Sequence, residues 1–273
     1  MNNMKKKLLG LPYYIWCAVL ILIHLGMVFY YGLTDKSGAF TLENIASITA
    51  PEHLKALALA LLLSVIATLI CLLLAYPLAM ILCDMQVNQH SFIVFIFILP
   101  MWMNFLLRTL AWQTLLEKTG VINSILQFLH LPSLTIINTP YAIVLGMVYN
   151  FLPFMVLPIY NALSKIDDNV IQAARDLGAN GIQVFLKIKL PLSTPGIISG
   201  ITMVFVPALT TFVISKLLGG SKVLLIGNVI EEEFTQASNW HLGSGLSIVL
   251  MIFILVNMVL SAVFDKDGEG SFL

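Results

Sequence analysis

Apolar segments long enough to cross a membrane recur along the chain, and they constrain its fold more than any other feature. A helix needs about 20 mostly apolar residues to span the hydrocarbon core of a bilayer. Six segments meet this requirement: Leu11 to Leu33, Ala56 to Cys83, Ser91 to Leu107, Tyr141 to Leu163, Pro195 to Ser215 and Leu242 to Phe264. The sequence therefore predicts an all-α, polytopic membrane protein with six transmembrane helices.

The composition points to the same class of protein. Hydrophobic residues make up 59% of the chain and charged residues only 10%, whereas soluble domains carry about 25% charged residues. Lys and Arg (14) balance Asp and Glu (14), so nucleic acid is not an expected partner. Cys17, Cys71 and Cys83 lie in apolar runs without CxxC spacing, which favours neither a disulfide framework nor a zinc site.

The distribution of basic residues predicts the orientation in the membrane. The run from Leu8 to Leu33 after three lysines is too long for the apolar core of a signal peptide, so an uncleaved first span is expected. With the N-terminus inside, eight of the 14 basic residues are cytoplasmic: Lys5, Lys6, Lys7, Lys165, Arg175, Lys187, Lys189 and Lys266. This places residues 1–10, the loop 164–194 and the tail 265–273 in the cytoplasm of a bacterial cell, and makes 11–264 the membrane domain.

Other local patterns refine the membrane domain. Apolar residues recur near helical spacing from Thr114 to Leu131 amid polar ones, which predicts an amphipathic helix at the membrane surface. Pro153 and Pro158 inside the fourth span suggest that it lines a cavity, because freed carbonyls need partners there. Gly196 and Gly200 form a GxxxG pair that permits close helix contact.

Signatures of catalysis are missing from the sequence. HExxH, GxSxG and GxxxxGK[ST] do not occur, and the five histidines share no ligand spacing. No carboxylate lies within a span away from its ends, which argues against proton-coupled transport by this chain alone. We expect a protein that is not an enzyme and holds no cofactor.

The polar interval Ala173 to Pro191, between the fourth and fifth spans, predicts a folded surface. Asp167 and Asp168 are N-cap candidates for a first short helix, which Gly178 would end. A second helix can begin at Ile182, and Pro191 is expected to end it. The two arms would form a compact knob for a partner. A capped loop without a partner, or a DNA-binding helix–turn–helix, is the alternative.

The same interval resembles the EAA motif of ABC importer permeases. The motif reads EAA, three residues, Gly, nine residues and Ile-x-Leu-Pro, and this chain matches it at Ala173, Ala174, Gly178, Ile188, Leu190 and Pro191. Gln172 stands where the motif usually has Glu. The resemblance implies that the loop couples to an ATPase. The implied coupling residues are Gln172, Ala173, Ala174, Asp176, Gly178, Ile188, Leu190 and Pro191.

A longer stretch, from about Leu99 to Phe253, is similar to PotB-type permeases of spermidine/putrescine importers. The similarity rests on LPMWMNFLLRTLAW, YNFLPFMVLPIYNAL, AARDLGA and GGSKVLLIGNVIEEEF. It implies a type I ABC importer permease (MetI-like) fold. It also implies three partners: a PotC-type second permease, a PotA-type ATPase dimer that uses the ATP, and a PotD-type extracellular binding protein.

A polyamine is a polycation, so aromatic faces and carboxylates are its expected partners. By placement the aromatic candidates for the substrate path are Trp102, Phe105, Trp112, Tyr149, Tyr160 and Phe212, and packing or interfacial anchoring is the alternative for each. The acidic run Glu231 to Glu233 could guide cations, dock the binding protein or be a solvated surface. Two other functions stay open: an ABC permease for sulfate, molybdate or iron, and an autonomous secondary carrier or channel.

Overall fold

The computed structural model describes residues 3–84 and 101–269. Within these ranges the chain is helical, and its one extended pairing is an isolated antiparallel bridge between Thr34 and Phe40. Two compact units divide the chain. The smaller is Met1–Lys55 with Val229–Phe253, and the larger is Ala56–Asn228 with Ile254–Leu273. The larger unit carries the EAA-like loop and all the predicted substrate-path aromatics.

The helices follow one another with short connections. In chain order they are α1 (Asn3–Gly32), α2 (Glu43–Ala46), α3 (Pro51–Asp84), α4 (Phe105–Leu116), α5 (Val121–Phe128), α6 (Pro140–Leu163), α7 (Asp168–Asp176), α8 (Gly181–Val184), α9 (Thr194–Thr210), α10 (Ile226–Thr235) and α11 (Trp240–Glu269). The chain leaves α8 through a π-helical turn (Phe185–Lys189) and an α-turn (Leu190–Leu192), and a second π-helical turn (Ser215–Gly219) follows α9.

Four helices of the described ranges are long and apolar enough to cross a membrane. They are α1 from Ile15, α3 to Cys83, α6, and α11 to Ser261, which confirms the first, second, fourth and sixth predicted spans. A fifth candidate is the pair Gly181–Leu192 and Thr194–Thr210, bent by 63°. Most of the third predicted span, Ser91 to Leu107, lies outside the described residues.

The prediction that Arg108 closes the third span is wrong. The helix that includes Trp102 stops at Met103, and a new helix, α4, begins at Phe105. The side chain of Asn104 caps α4 by accepting a hydrogen bond from the Leu106 amide at 2.8 Å. Because the cap satisfies free amides of the first turn, it stabilises a helix start at this point. Arg108 therefore lies inside α4.

The fifth span also ends earlier than predicted, at Thr210 and not at Ser215. Thr211 takes up an extended backbone conformation, and the buried side chain of Asn228 bonds the groups around the break. Its Nδ2 donates to the Phe212 carbonyl at 3.0 Å, and its Oδ1 accepts from the Ser215 hydroxyl at 2.5 Å. These bonds replace the helical ladder, which is why the chain can break inside an apolar segment.

Close packing of α6 against α9 forms the core of the larger unit. A Cβ atom added to Gly196 would lie 2.6 Å from the Ala162 Cβ, and one added to Gly200 would lie 2.6 Å from the Met155 Sδ. Both distances are shorter than a van der Waals contact. The GxxxG pair thus brings the two helices together, as its spacing predicts.

The segment predicted as one amphipathic helix from Thr114 to Leu131 is divided in the structure. Its first residues belong to α4, and α5 covers only Val121–Phe128. The buried side chain of Asn123 fixes the following loop, because its Nδ2 donates to the Leu134 carbonyl (2.9 Å) and its Oδ1 accepts from the Leu134 amide (2.7 Å). The location of α5 at the membrane surface stays a prediction.

In the smaller unit, side chains cap the end of α1. The Thr34 carbonyl accepts hydrogen bonds from the Asn44 Nδ2 (2.9 Å) and from the His241 Nδ1 (2.6 Å). Because a carbonyl only accepts, the His241 Nδ1 must carry a proton. Gly245 lets α11 pass close to Asn44, since a Cβ atom added to it would lie 2.5 Å from the Asn44 carbonyl carbon.

Candidate functional site

The first arm of the EAA-like loop is helix α7, and its start is capped as predicted. Asp167 is the N-cap residue, and its Oδ1 accepts a hydrogen bond from the Asn169 amide at 2.9 Å. Asp168 lies in the first turn and Arg175 in the last. Both charges are placed favourably with respect to the helix dipole, because acidic groups stabilise a helix N-terminus and basic groups its C-terminus.

Gly178 ends the first arm, also as predicted. Its φ of +84° lies in the left-handed region that side chains disfavour. The Gly178 amide donates to the Arg175 carbonyl at 2.9 Å, and the Ala179 amide to the Ala174 carbonyl at 3.0 Å. This pair of bonds is the Schellman arrangement, which satisfies the last carbonyls of a helix.

The second arm begins with a capping box. The Asn180 Oδ1 accepts from the Gln183 amide at 2.9 Å, and the Gln183 Oε1 accepts from the Asn180 amide at 2.8 Å. The prediction that Pro191 ends this arm is wrong, because the helical chain continues through Pro191 to Leu192. A proline lacks the amide hydrogen of a helix interior and clashes with the carbonyl four residues earlier. The wider π-helical turn Phe185–Lys189, directly before Pro191, accommodates it.

The two arms present an apolar surface. Leu177 at the end of the first arm is 90% exposed, Ile182 at the start of the second is 70% exposed, and Leu186 is 52% exposed. Large apolar side chains grouped on a surface indicate an interaction site. We name this set the knob surface. The sequence shows Leu177 and Ile182 beside Gly178, but the apolar spacing alone does not tell a packing face from a docking face.

The motif residues fall into two groups by exposure. Gln172, Ala173, Asp176, Gly178 and Pro191 are exposed, whereas Ala174, Ile188 and Leu190 are half-buried. Gln172 and Asp176 lie one turn apart on α7 and so share a face. Asp176 therefore places a carboxylate beside the position where the motif usually has Glu.

Two aromatic pairs join α4 to α6. Trp112 and Tyr149 meet edge to face with ring centroids 5.2 Å apart, and Phe105 stacks on Phe151 at 6.4 Å. The structure thus brings two of the predicted path residues, Trp112 and Tyr149, into direct contact. Phe151 was missed from the sequence, although it lies two residues after Tyr149.

The other three predicted aromatics lie elsewhere in the larger unit. Trp102 is 75% exposed and precedes the helix break, and Phe212 follows the break after α9. Tyr160 lies on α6, eleven residues beyond Tyr149, roughly 16 Å along the helix axis at 1.5 Å per residue. A single compact site therefore cannot include both tyrosines.

Buried polar groups accompany the aromatic pairs. Arg108 is only 7% exposed, and its Nε has no hydrogen-bond acceptor within the described residues. Asn150, next to Tyr149 on α6, donates from its Nδ2 to the Gly146 carbonyl at 2.9 Å. Its buried Oδ1 has no donor within the same ranges. An ionisable group inside an apolar region is costly, which marks this part of α4 as functional.

The acidic run Glu231 to Glu233 is helical. All three residues belong to α10 and are half-buried. The Thr235 hydroxyl donates to the Glu231 carbonyl at 2.7 Å. The run is therefore part of an ordered helix, and its interaction with cations or with a binding protein stays a prediction.

Comparison with known proteins places the chain among transport permeases. The family model of binding-protein-dependent transport system inner membrane components matches residues 56–266. The chain is 37% identical over 261 residues to the spermidine/putrescine transport system permease protein PotB of Haemophilus influenzae, covering 93% of this chain and 91% of that protein. It is 40% identical over 236 residues to the protein of the same name from Escherichia coli, covering 84% and 86%.

A solved structure shares the fold. It is a chain of a bacterial ABC transporter involved in the import of the acidic polysaccharide alginate. It superposes with a TM-score of 0.80 at 17% identity, and the match covers 97% of this chain and 96% of that one. Together with the family match, this confirms the predicted ABC importer permease fold.

Proposed function

The chain belongs to the family of binding-protein-dependent transport system inner membrane components, and from this premise we propose that it is a permease subunit of an ABC importer for spermidine and putrescine. The observation that carries the substrate is the relationship to PotB of Haemophilus influenzae, which extends over 93% of the chain. The knob surface supports the ABC part of the proposal, because an autonomous carrier has no need of a docking site for an ATPase.

In this proposal the EAA-like loop couples the chain to the ATPase dimer. The exposed knob surface, including Leu177 and Ile182, fits a cleft of a partner protein. Burial of apolar area in that cleft would supply the affinity, at about 25 cal/mol per Å². Asp176 and Arg175 flank the apolar residues with charge. Closure of the ATPase dimer on ATP would then move the knob and rock the permease between two conformations.

The substrate path is proposed to pass the aromatic pair of α4 and α6. Ring faces attract ammonium groups, and each such contact contributes roughly 0.5–2 kcal/mol. Tyr149 is 39% exposed, so its ring can be reached from outside the chain. Trp112 contacts it edge to face and thereby orients it. The remaining aromatic candidates, Trp102, Phe105, Tyr160 and Phe212, would line other parts of the path.

The proposal assigns the motor and the first substrate contact to other subunits. A PotC-type permease would complete the path, a PotA-type ATPase dimer would hydrolyse ATP, and a PotD-type binding protein would deliver the polyamine. This chain would be neither an enzyme nor the holder of a cofactor. It would lie in the bacterial cell membrane with its N-terminus, the coupling loop and the C-terminal tail in the cytoplasm.

Reconstitution tests the proposal. The chain is assembled with the second permease, the ATPase and the binding protein in proteoliposomes, and uptake of radiolabelled spermidine and putrescine is followed. We expect uptake that requires ATP and all four proteins. Uptake that persists without the ATPase would contradict the ABC mechanism. ATP-dependent uptake of sulfate, molybdate or iron but of no polyamine would contradict the substrate.

A further inference from the structure

A buried contact joins α3 to the bend between the second arm of the loop and α9. The Tyr76 hydroxyl lies 2.8 Å from the Ser193 Oγ. Ser193 is completely buried and Tyr76 nearly so. The two residues belong to different helical elements of the larger unit, and Ser193 is the residue at which the chain turns by 63°.

The direction of this hydrogen bond follows from a second one. The Ser193 Oγ also lies 3.1 Å from the Leu190 carbonyl, to which it donates. A hydroxyl has one hydrogen, so the Ser193 oxygen must accept from Tyr76. The result is a chain of hydrogen bonds from Tyr76 through Ser193 to the backbone of the second arm.

The backbone around the bend needs such support. Pro191 and Pro195 both lack an amide hydrogen, and each disfavours regular helix over the preceding turn. The π-helical turn Phe185–Lys189 is a further irregularity. The Leu190 carbonyl receives two hydroxyls, those of Ser193 and Thr194. Side chains thus bond a carbonyl at a point where proline interrupts the helical ladder.

A ring contact secures the other side of the π-helical turn. The Phe185 ring meets the Tyr76 ring edge to face, with centroids 5.6 Å apart and an interplanar angle of 85°. Tyr76 therefore holds both ends of the irregular segment, Phe185 through its ring and Ser193 through its hydroxyl. We name this contact the Tyr76 latch.

We propose that Tyr76 is a positioning residue that keeps the bend at Ser193 rigid, so that movement of the coupling knob is transmitted to α3 and α9. The inference rests on the proposed coupling to an ATPase. Without the latch, the irregular segment Phe185–Ser193 would flex and absorb part of the movement. ATP would still be hydrolysed, but fewer substrate molecules would be transported per ATP.

The test compares variants that remove only the latch hydroxyls. Tyr76→Phe keeps the ring on Phe185 and removes the hydrogen bond, and Ser193→Ala removes its partner. In the reconstituted four-protein importer, each variant should lower spermidine transported per ATP by about fivefold, the shift expected for one net hydrogen bond. The double variant should be no worse than either single one, because both remove the same bond.

Two control variants match these changes. Ser64→Ala removes a buried hydroxyl of α3 that donates to its own helix, to the Ala60 carbonyl at 2.7 Å. Tyr141→Phe removes the hydroxyl of an exposed tyrosine on α6. Neither should change the transport ratio. A defect of folding or assembly lowers ATP hydrolysis and uptake together, whereas loss of the latch lowers their ratio.

The outcomes separate this inference from the proposed function. A wild-type importer without ATP-dependent polyamine uptake would overturn the proposed function. Normal wild-type coupling with an unchanged ratio in both variants, or with additive effects in the double variant, would overturn the latch. Hydrogen–deuterium exchange provides a readout independent of transport: exchange over residues 185–194 should become faster in both latch variants and not in Ser64→Ala. Unchanged exchange in that segment would also refute the latch.

Discussion

Replacement of Gly178 by valine tests whether the shape of the coupling knob governs contact with the ATPase. A Cβ atom added at Gly178 meets nothing within 4 Å, so the substitution causes no clash. The whole cost comes from the backbone, because φ is +84°. A side chain in the left-handed region costs roughly 1–2 kcal/mol, and a β-branched one lies at the upper end.

A cost of about 2 kcal/mol shifts the equilibrium away from the native knob by roughly 30-fold, since 1.4 kcal/mol is tenfold. We therefore expect about 30-fold weaker binding of the ATPase to the Gly178→Val permease and a comparable loss of transport. The measurements are ATPase binding to the detergent-solubilised permease complex and uptake by proteoliposomes. Membrane insertion and expression should be normal, because Gly178 lies on an exposed turn.

Gly181 provides a matched control three residues away. It is also exposed, a Cβ atom added to it also meets nothing within 4 Å, and its φ lies outside the left-handed region. Gly181→Val should therefore leave binding almost unchanged. Asn tolerates positive φ better than other side chains, so Gly178→Asn should lie between wild type and valine. Equal effects of valine at both positions, or normal transport by Gly178→Val, would refute the role of the turn.

Three further predictions concern the rest of the larger unit. Trp112→Ala should raise the KM for spermidine by about 2- to 30-fold, the range of one cation–π contact, while Tyr141→Ala should not; equal effects would contradict the path. Gly200→Leu should prevent α6 and α9 from packing, because even a Cβ atom would lie 2.6 Å from Met155, and the thermal stability of the solubilised protein should fall markedly. Asn123→Ala removes the bonds to the Leu134 backbone, so exchange of the Leu134 amide should accelerate at least tenfold; unchanged protection would show that other contacts hold this loop.

Local sequence signals predicted those parts of the fold that local physics decides. Asp167 caps α7 and Gly178 ends it because both effects act within a few residues of the chain. The spans of α1, α3, α6 and α11 were predictable for a similar reason: a long apolar run has one stable state in a bilayer.

Predictions failed where a distant side chain or an irregular turn changed the outcome. Asn228 holds the break after Thr210, seventeen residues or more before it in a run that is apolar on both sides of the break. A π-helical turn lets the second arm continue through Pro191, although proline ordinarily ends a helix. Neither effect has a periodic signature.

The sequence by itself determined the class of protein, the number of apolar segments and the place of the knob between two of them. Hydrophobic length and the spacing from Ala173 to Pro191 depend only on residue order. The tertiary structure alone decided which residues meet: Trp112 with Tyr149, and Tyr76 with Ser193. Those contacts join residues far apart in the chain, and they form only where helices cross at one particular register.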